Sequence, residues 1–155
     1  MSLTPVQIAP DSDQLSEVLD LIRRSFAYME GRIDPPSSMT RLTVEGLSAA
    51  ASTGEIWVLG APIVACVVLT PKADALYIGK LSVDATQRGA GLARLLIDLA
   101  AKRASVRGLK ALELQVRVEL TENQATFRAL GFTQTGATAH PGFDRPTSLT
   151  MRRGV

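Results

Sequence analysis

Cysteine is almost missing from this chain, whose 155 residues contain only one, Cys66. A disulfide framework within the chain is therefore excluded, and a reducing compartment fits this usage. Cys66 lies in the apolar run PIVACVVLTP, where it is either a nucleophile or a small residue of a buried strand. Because free cysteines are mostly buried, we interpret Cys66 as a core residue.

Long apolar runs and an excess of one charge are missing as well. No apolar run approaches the roughly 20 residues that cross a bilayer, so we expect no membrane span. The start, MSLTPVQIAPDSD, lacks the charged and apolar regions of a signal peptide, so we expect a cytoplasmic protein. Lys and Arg number 17 against 15 Asp and Glu, a formal net charge of +2. This small excess forms no basic stripe, which argues against binding to nucleic acid.

The chain does contain a clear succession of strand and helix patterns. Apolar residues recur at helical spacing in three longer segments and one short one. These predicted helices cover residues 11–29, 40–53, 92–106 and 121–130. Short apolar or alternating runs predict strands over residues 3–9, 55–60, 62–71, 74–83, 111–118, 133–139 and 147–153. This order predicts an α/β fold, in which a mixed, mostly antiparallel sheet carries helices on both faces, and a single domain over residues 1–155. Val106 is expected on the buried face of its helix.

A glycine turn in the stretch VDATQRGAGLARLLI opens the longest amphipathic helix. The first N–H groups of a helix have no internal partner, and glycine lets a ligand approach the backbone, so a pyrophosphate fits there. Gln87 and Arg88 can add side-chain donors. A Walker A loop is excluded, because the turn lacks the final Gly-Lys-Ser/Thr. A Rossmann fingerprint fits poorly, since Arg94 stands where its third glycine or alanine belongs. A plain connector between strand and helix is the remaining alternative.

The turn and its surroundings resemble the acetyl-CoA-binding motif of the GNAT acetyltransferase superfamily. In that family a strand ending in Val precedes x-Pro-x-x-Arg-Gly-x-Gly-x-Gly/Ala and an amphipathic helix, and Ala85 here replaces the proline. The matching residues are Val83, Arg88, Gly89, Gly91 and Ala93. A later segment, ENQATFRALGF, is similar to a second motif of the family. That similarity is carried by Asn123, Phe127, Gly131 and Phe132.

The resemblance implies the GNAT fold and a site for acetyl-CoA, with no metal. The turn would bind the pyrophosphate through backbone donors among Arg88, Gly89, Ala90, Gly91, Leu92 and Ala93. The strand before the turn would splay from its neighbour, and its free backbone at Leu81 and Val83 would pair with the pantetheine arm. Asn123, Phe127 and Arg128 would line the same wall.

The implied reaction transfers the acetyl group of acetyl-CoA to a primary amine by direct attack in a ternary complex. It needs a path for the amine proton, a donor for the carbonyl oxygen and a proton for the departing thiolate. A backbone N–H near Leu81 to Val83 is the expected oxygen donor. By a period of two, Tyr77 shares a strand face with those residues. The candidate catalytic residues are Tyr77, Glu119 and His140.

Each candidate catalytic residue also has an ordinary structural interpretation. Tyr77 fits a core aromatic, Glu119 a solvated loop charge and His140 an inert loop histidine. The tyrosine that often protonates the thiolate in the family corresponds to Phe127, which has no proton to donate.

The acceptor is expected to be a small-molecule or peptide amine, bound near the loop YMEGRIDPPSS between the first two helices. Candidate substrate residues are Tyr28, Glu30, which could attract an amine cation, and Arg32, which could bind an acid group. Solvated loop charges are the alternative. A homodimer is common in the family.

Two rival functions are a non-catalytic CoA-binding sensor or regulatory module and a nucleotide-binding domain. Turnover with any amine excludes the first. Binding that depends on the pantetheine arm excludes the second.

Overall fold

The computed structural model describes residues 3–155. The strands are β1 (Val6–Ile8), β2 (Glu55–Leu59), β3 (Ala65–Pro71), β4 (Ala75–Val83), β5 (Ala111–Arg117), β6 (Thr133–Thr138) and β7 (Ser148–Gly154). The helices are α1 (Leu15–Phe26), α2 (Val44–Thr53), α3 (Leu92–Val106) and α4 (Thr121–Ala129). Short 3-10 turns follow α1, precede α2 and lie between β4 and α3.

The strands form one sheet in the order β1-β2-β3-β4-β5-β7-β6. Within the described residues every neighbouring pair is antiparallel except β4 and β5, which are parallel. This is the mixed, mostly antiparallel sheet that the sequence predicts, and the predicted fold class is confirmed. The chain crosses from β4 to β5 through α3, because parallel neighbours need a long connection.

Two apolar cores lie on opposite faces of the sheet. The apolar stripe of α1 and two residues of α2 pack with β2 and β3 on one face. The stripe of α3 packs with the other face, together with Phe132 after α4. Val106, at the last turn of α3, is 70% exposed, so its predicted burial is wrong. The turn that ends α3 carries it past the edge of the core.

A buried carboxylate anchors the C-terminal end of α3 to the sheet. Glu55 on β2 is 1% exposed and accepts hydrogen bonds from Trp57, Arg103 and Arg107, each with a contact of 2.7 Å. Burial raises the pKa of Glu55, but these three partners outweigh it and lower the pKa to about 2. The carboxylate is therefore ionised and fixes the end of the helix whose other end begins at the glycine turn.

Candidate functional site

A wedge-shaped gap opens between the two parallel strands. β4 pairs with β5 only where Ala75–Tyr77 faces Ala111–Glu113. Beyond this short seam the strands diverge, and Ile78–Val83 and Leu114–Arg117 line opposite walls of a cavity of about 1310 Å³. The end of α1, the loop before α2, the glycine turn, α4 and the β6–β7 loop complete the lining. The cavity therefore reaches the N-terminal end of α3.

A β-bulge in β4 decides which side chains face each core. The pairing moves from Val68 opposite Gly79 to Cys66 opposite Ser82, so β4 carries one extra residue there. Lys80 lies at this point with a left-handed φ of 53°. Before the bulge, Tyr77 shares a face with Val68 and the α1–α2 core.

The predicted shared face of Tyr77 with Leu81 and Val83 is wrong. Leu81 and Val83 pack on the α3 core, on the opposite side of the sheet from Tyr77. The bulge inserts one residue and so breaks the period of two on which that prediction rested. Tyr77 nevertheless lines the cavity, at the seam where the gap begins.

The backbone of β4 past the bulge is open toward the gap. The N–H of Asp84 donates to Val64 O at 2.7 Å, in the direction of β3. Alternation along a strand then turns the backbone groups of Val83 and Leu81 the other way. Val83 O accordingly accepts a hydrogen bond from Ser25 Oγ at 3.3 Å. Both backbone groups of Leu81 and the N–H of Val83 thus face the side from which β5 has moved away, while Val83 O is engaged by Ser25.

The glycine turn holds its shape through two left-handed residues. Gly89 and Gly91 have φ of 83° and 79°, which glycine adopts without a steric cost. Gly91 is the N-cap of α3 and has no capping side chain, and the first N–H bonded back to it is that of Leu95 at 3.0 Å. The N–H groups of the first turn therefore remain available to an anion, and the helix dipole favours negative charge there.

Most of the predicted residues of the turn line the cavity. They are Arg88, Gly89, Gly91, Leu92 and Ala93. Ala90 does not line it, because its N–H turns back and donates to Gln87 O at 3.3 Å.

Helix α4 faces the end of α1 across the cavity. Asn123 and Phe127 both line the cavity, four residues apart on one face of α4, whereas Arg128 is exposed outside it. Asn123 Nδ2 donates to the hydroxyl of Tyr28 at 2.7 Å. The Tyr28 hydroxyl oxygen therefore accepts from Asn123, and its own proton is free to be donated.

A second polar contact joins the same two elements. Arg32 Nη2 lies 2.7 Å from Glu122 Oε1, and the Arg32 guanidinium lies 5.8 Å from the centroid of the Tyr28 ring. Tyr28, Arg32 and Glu122 all line the cavity. Glu30 does not line it and is exposed on the loop beyond.

The β6–β7 loop brings the only histidine to the cavity. Thr147, which is fully buried, contacts the Nδ1 of His140 through its hydroxyl. The same hydroxyl accepts from the backbone N–H of His140 at 3.0 Å and lies 3.4 Å from Thr138 O. With the hydroxyl proton directed at Thr138 O, a neutral imidazole at this position would have its proton on Nδ1 and its lone pair on Nε2.

Tyr77 has an environment that keeps its phenol protonated. Burial and the nearby carboxylate of Glu113 raise the pKa of Tyr77, and the backbone of Gln115 offsets this in part. Lys72 Nζ lies 4.3 Å from the ring centroid and covers it on the outside.

Glu119 lies outside the lining of the cavity. One carboxylate oxygen accepts from the backbone N–H of Asp34 at 3.1 Å, and the other is buried without a partner. Its position is that of a residue that fixes the loop before α2. The gap was expected beside Glu119, but the chain turns away into α4 immediately after it.

Three basic residues of the cavity were not singled out in the sequence, and the first of them, Arg41, lies in the 3-10 turn before α2. Lys80 sits at the bulge and Arg117 at the end of β5, and both line the cavity. Arg117 alternates with the apolar Leu114 and Val116, so the strand pattern alone assigns it to the polar face. The pattern does not reveal that this face borders a cavity, because that depends on the divergence of β4 from β5.

A metal-binding cluster and a membrane-spanning helix are both absent from the residues that the structure describes. Residues 3–155 contain no group of three or more His, Cys, Asp or Glu side chains placed to hold a metal ion. No helix in that range combines the length and the apolar character that crossing a bilayer requires.

Comparison with solved structures places this architecture among acetyltransferases. An N-acetyltransferase named PaiA from Thermoplasma acidophilum, in complex with coenzyme A, has a TM-score of 0.83 at 12% identity, covering 100% of both chains. A GNAT family acetyltransferase from Elizabethkingia anophelis with acetyl-CoA bound has a TM-score of 0.69 at 14% identity, covering 99% of this chain and 98% of that one. The ribosomal-protein-S18-alanine N-acetyltransferase from Escherichia coli has a TM-score of 0.72 at 16% identity, covering 99% and 94%.

At these identities the structures establish the fold, and the sequence comparison establishes the family. No curated protein sequence matches the chain. The model of the acetyltransferase (GNAT) family matches residues 15–132, which is well over half of the chain. This protein therefore belongs to the GNAT acetyltransferase family.

Proposed function

We propose that this chain, as a single domain, transfers the acetyl group of acetyl-CoA to a primary amine. The observation that carries the proposal is the continuity of the gap. Open backbone groups at Leu81 and Val83 lead along one cavity to the uncapped N-terminus of α3. Two acetyltransferases with the same fold, described above, hold coenzyme A or acetyl-CoA, which supports the same ligand here.

The residues of the turn fit a pyrophosphate. Gly89 and Gly91 meet no atom within 4 Å of an added Cβ, so the space beside both glycines is open. Arg88, exposed at the cavity wall, would add a charged donor. Asn123 and Phe127 would form the wall beside the pantetheine arm.

Acetyl-CoA supplies a thioester that an amine attacks directly. The backbone N–H of Leu81, directed at the gap, would donate to the charge that develops on the carbonyl oxygen. His140 would take the proton of the attacking amine through Nε2, with Thr147 holding the ring. Tyr77, kept protonated, would order a water at the seam.

The departing thiolate requires a proton that Phe127 cannot give. Tyr28 supplies a hydroxyl over the same face of α4, since it is held by Asn123, one helical turn before Phe127. We assign the proton donor to Tyr28, in place of the substrate-binding role that its loop position suggested.

Ligand-dependent thermal unfolding tests the cofactor site. Acetyl-CoA and CoA at a hundredfold excess over the dissociation constant should each stabilise the fold by about 2.7 kcal/mol, whereas ATP and NAD should not. Arg88→Gln should reduce this effect. Lys102→Gln, which removes an exposed charge near the other end of α3 and outside the cavity, is the matched control.

Release of free CoA thiol in the presence of an amine panel tests the chemistry. Turnover with at least one amine supports the acetyltransferase. Stabilisation by CoA without turnover of any amine would instead support a non-catalytic CoA-binding module, which the missing hydroxyl at Phe127 would then explain. No stabilisation by either form of CoA would refute the proposed site.

A further inference from the structure

Positive charge dominates the lining of the cavity. Its basic residues are Arg32, Arg41, Lys80, Arg88 and Arg117, and its one acidic residue is Glu122. Arg32 already pairs with Glu122 at 2.7 Å. Arg88 belongs to the glycine turn and is committed to the cofactor. Three cations therefore remain for whatever else the cavity binds.

The three remaining cations are not neutralised by the protein. Across residues 3–155, no carboxylate lies within 4.0 Å of the charged nitrogens of Arg41, Lys80 or Arg117. Burial lowers the pKa of Lys80, as expected of a cation with no partner. The predicted attraction of an amine cation by Glu30 does not offset this charge, because Glu30 lies outside the cavity.

Arg117 has a specific unmet hydrogen-bonding need. Its Nη2 donates to Pro36 O at 3.2 Å, which fixes the guanidinium against the loop before α2. Its Nη1 is buried and has no partner. A buried donor without a partner is unfavourable, so such groups in folded proteins usually meet a ligand, an ion or water.

The acids nearest to Arg117 do not pair with it, although one oxygen of Glu119 is itself buried without a partner. Burial lowers the pKa of Arg117, and the charges of Glu119 and Asp34 act against that. Glu119, however, accepts from the backbone of Asp34, and the Asp34 carboxylate lies 3.9 Å from Arg145. Neither carboxylate reaches the guanidinium.

Arg117 lies on the face of the sheet opposite the α3 core. Leu114 and Val116 on the same strand pack into the α3 core, so Arg117 is on the face that carries Tyr77. The loop that it contacts at Pro36 borders the same part of the cavity.

We infer that the acceptor is an amine that also carries a carboxylate, and that the Arg117 guanidinium binds this carboxylate. Amino acids and peptides with a nearby C-terminus have this chemistry. A polyamine or another polycationic acceptor would bring further positive charge against Arg41, Lys80 and Arg117. The inference rests on the proposed acetyltransferase function and names the substrate class of that site.

Paired substrates test the inference directly in the native enzyme. Thiol release is measured for the common amino acids, for the carboxamide of each, and for a linear diamine and a polyamine. Each pair keeps the amine and removes only the carboxylate charge, and the pH is varied because the amide lowers the basicity of the amine. We expect the carboxylate form to have a kcat/KM at least about tenfold higher, as for a charge-assisted hydrogen bond.

Variants of Arg117 assign the effect to the side chain. Arg117→Met should abolish the preference, mostly through KM, and Arg117→Lys should keep part of it. Lys102→Met, which removes an exposed charge on α3 outside the cavity, should leave the preference intact. Stabilisation by acetyl-CoA checks that each variant is folded with its cofactor site intact.

The outcomes separate this inference from the function on which it rests. Turnover of amines with equal or better use of carboxamides or polyamines would overturn the inference and leave the acetyltransferase standing. The same holds if the preference survives in Arg117→Met. Acetyl-CoA binding with no turnover of any amine would contradict the proposed function itself, and the inference would fall with it.

Discussion

Replacing Glu55 by Gln removes the negative charge that anchors α3 and leaves a side chain of nearly the same volume. The carboxylate is almost fully buried, and its pKa of about 2 compares with an ordinary value of 4.5. That difference corresponds to about 3 kcal/mol of stability at neutral pH. Since folded domains are stable by only about 5–15 kcal/mol, Glu55→Gln should lower the urea midpoint substantially.

The pH dependence makes this prediction specific. The pKa of Glu55 is lower in the folded chain than in the unfolded chain, so its contribution is complete above pH 4.5 and is lost as the pH falls toward 2. By pH 3 less than half of the difference between wild type and Glu55→Gln should remain. Urea unfolding of both proteins at pH 7 and pH 3 measures it.

Glu45→Gln is the matched control, because Glu45 is an exposed carboxylate in the first turn of α2. It should change stability by less than about 0.5 kcal/mol at either pH. A Glu55→Gln effect that is equally large at pH 7 and pH 3 would refute the electrostatic reasoning. So would an effect below about 1 kcal/mol at pH 7.

Three further predictions concern the site and the lone cysteine. Gly91→Ala should cost about 1–2 kcal/mol of stability through its left-handed backbone and weaken CoA binding, whereas Gly108→Ala, equally left-handed and unobstructed at the far end of α3, should show only the first effect in unfolding and binding titrations. Tyr28→Phe should lower kcat by about tenfold to a hundredfold, and adding Phe127→Tyr should restore part of it; an unchanged kcat would rule out Tyr28 as the proton donor. Cys66 is fully buried and burial raises its pKa to about 12, so a thiol reagent should label it only after unfolding, and labelling of the native protein would contradict the packing.

Local patterns were sufficient for the elements and for the glycine turn, although Ala90 and Arg128, which were expected to contact a cofactor, lie outside the cavity. Periods of 2 and 3.6 located the strands and helices within a few residues, because most of them have one clearly apolar face or two; β6, with the sequence TQTGAT, has none. The glycine turn was recognisable because the left-handed residues Gly89 and Gly91 and the following helix are contiguous in sequence. Cys66 is buried as its apolar surroundings predicted.

The part of the cavity formed by β4 and β5 was harder to predict because it depends on distances across the sheet. The bulge at Lys80 arises from how β4 pairs with β3, and no local pattern announces an extra residue. Glu30 and Glu119 lie on loops that border the cavity, but their side chains are outside it. Arg117 became noticeable only once the divergence of β4 and β5 had exposed its strand face and left one nitrogen without a partner.

The short seam between β4 and β5 makes the sheet mechanically two half-sheets. Strands β1 to β4 form one half and β5 to β7 the other, and their direct pairing is confined to Ala75–Tyr77 against Ala111–Glu113. A ligand that pairs with the open backbone of Leu81 and Val83 would connect the two half-sheets. Its binding energy would then appear not only as a higher melting temperature but as a sharper transition, because the two halves would open together instead of in succession.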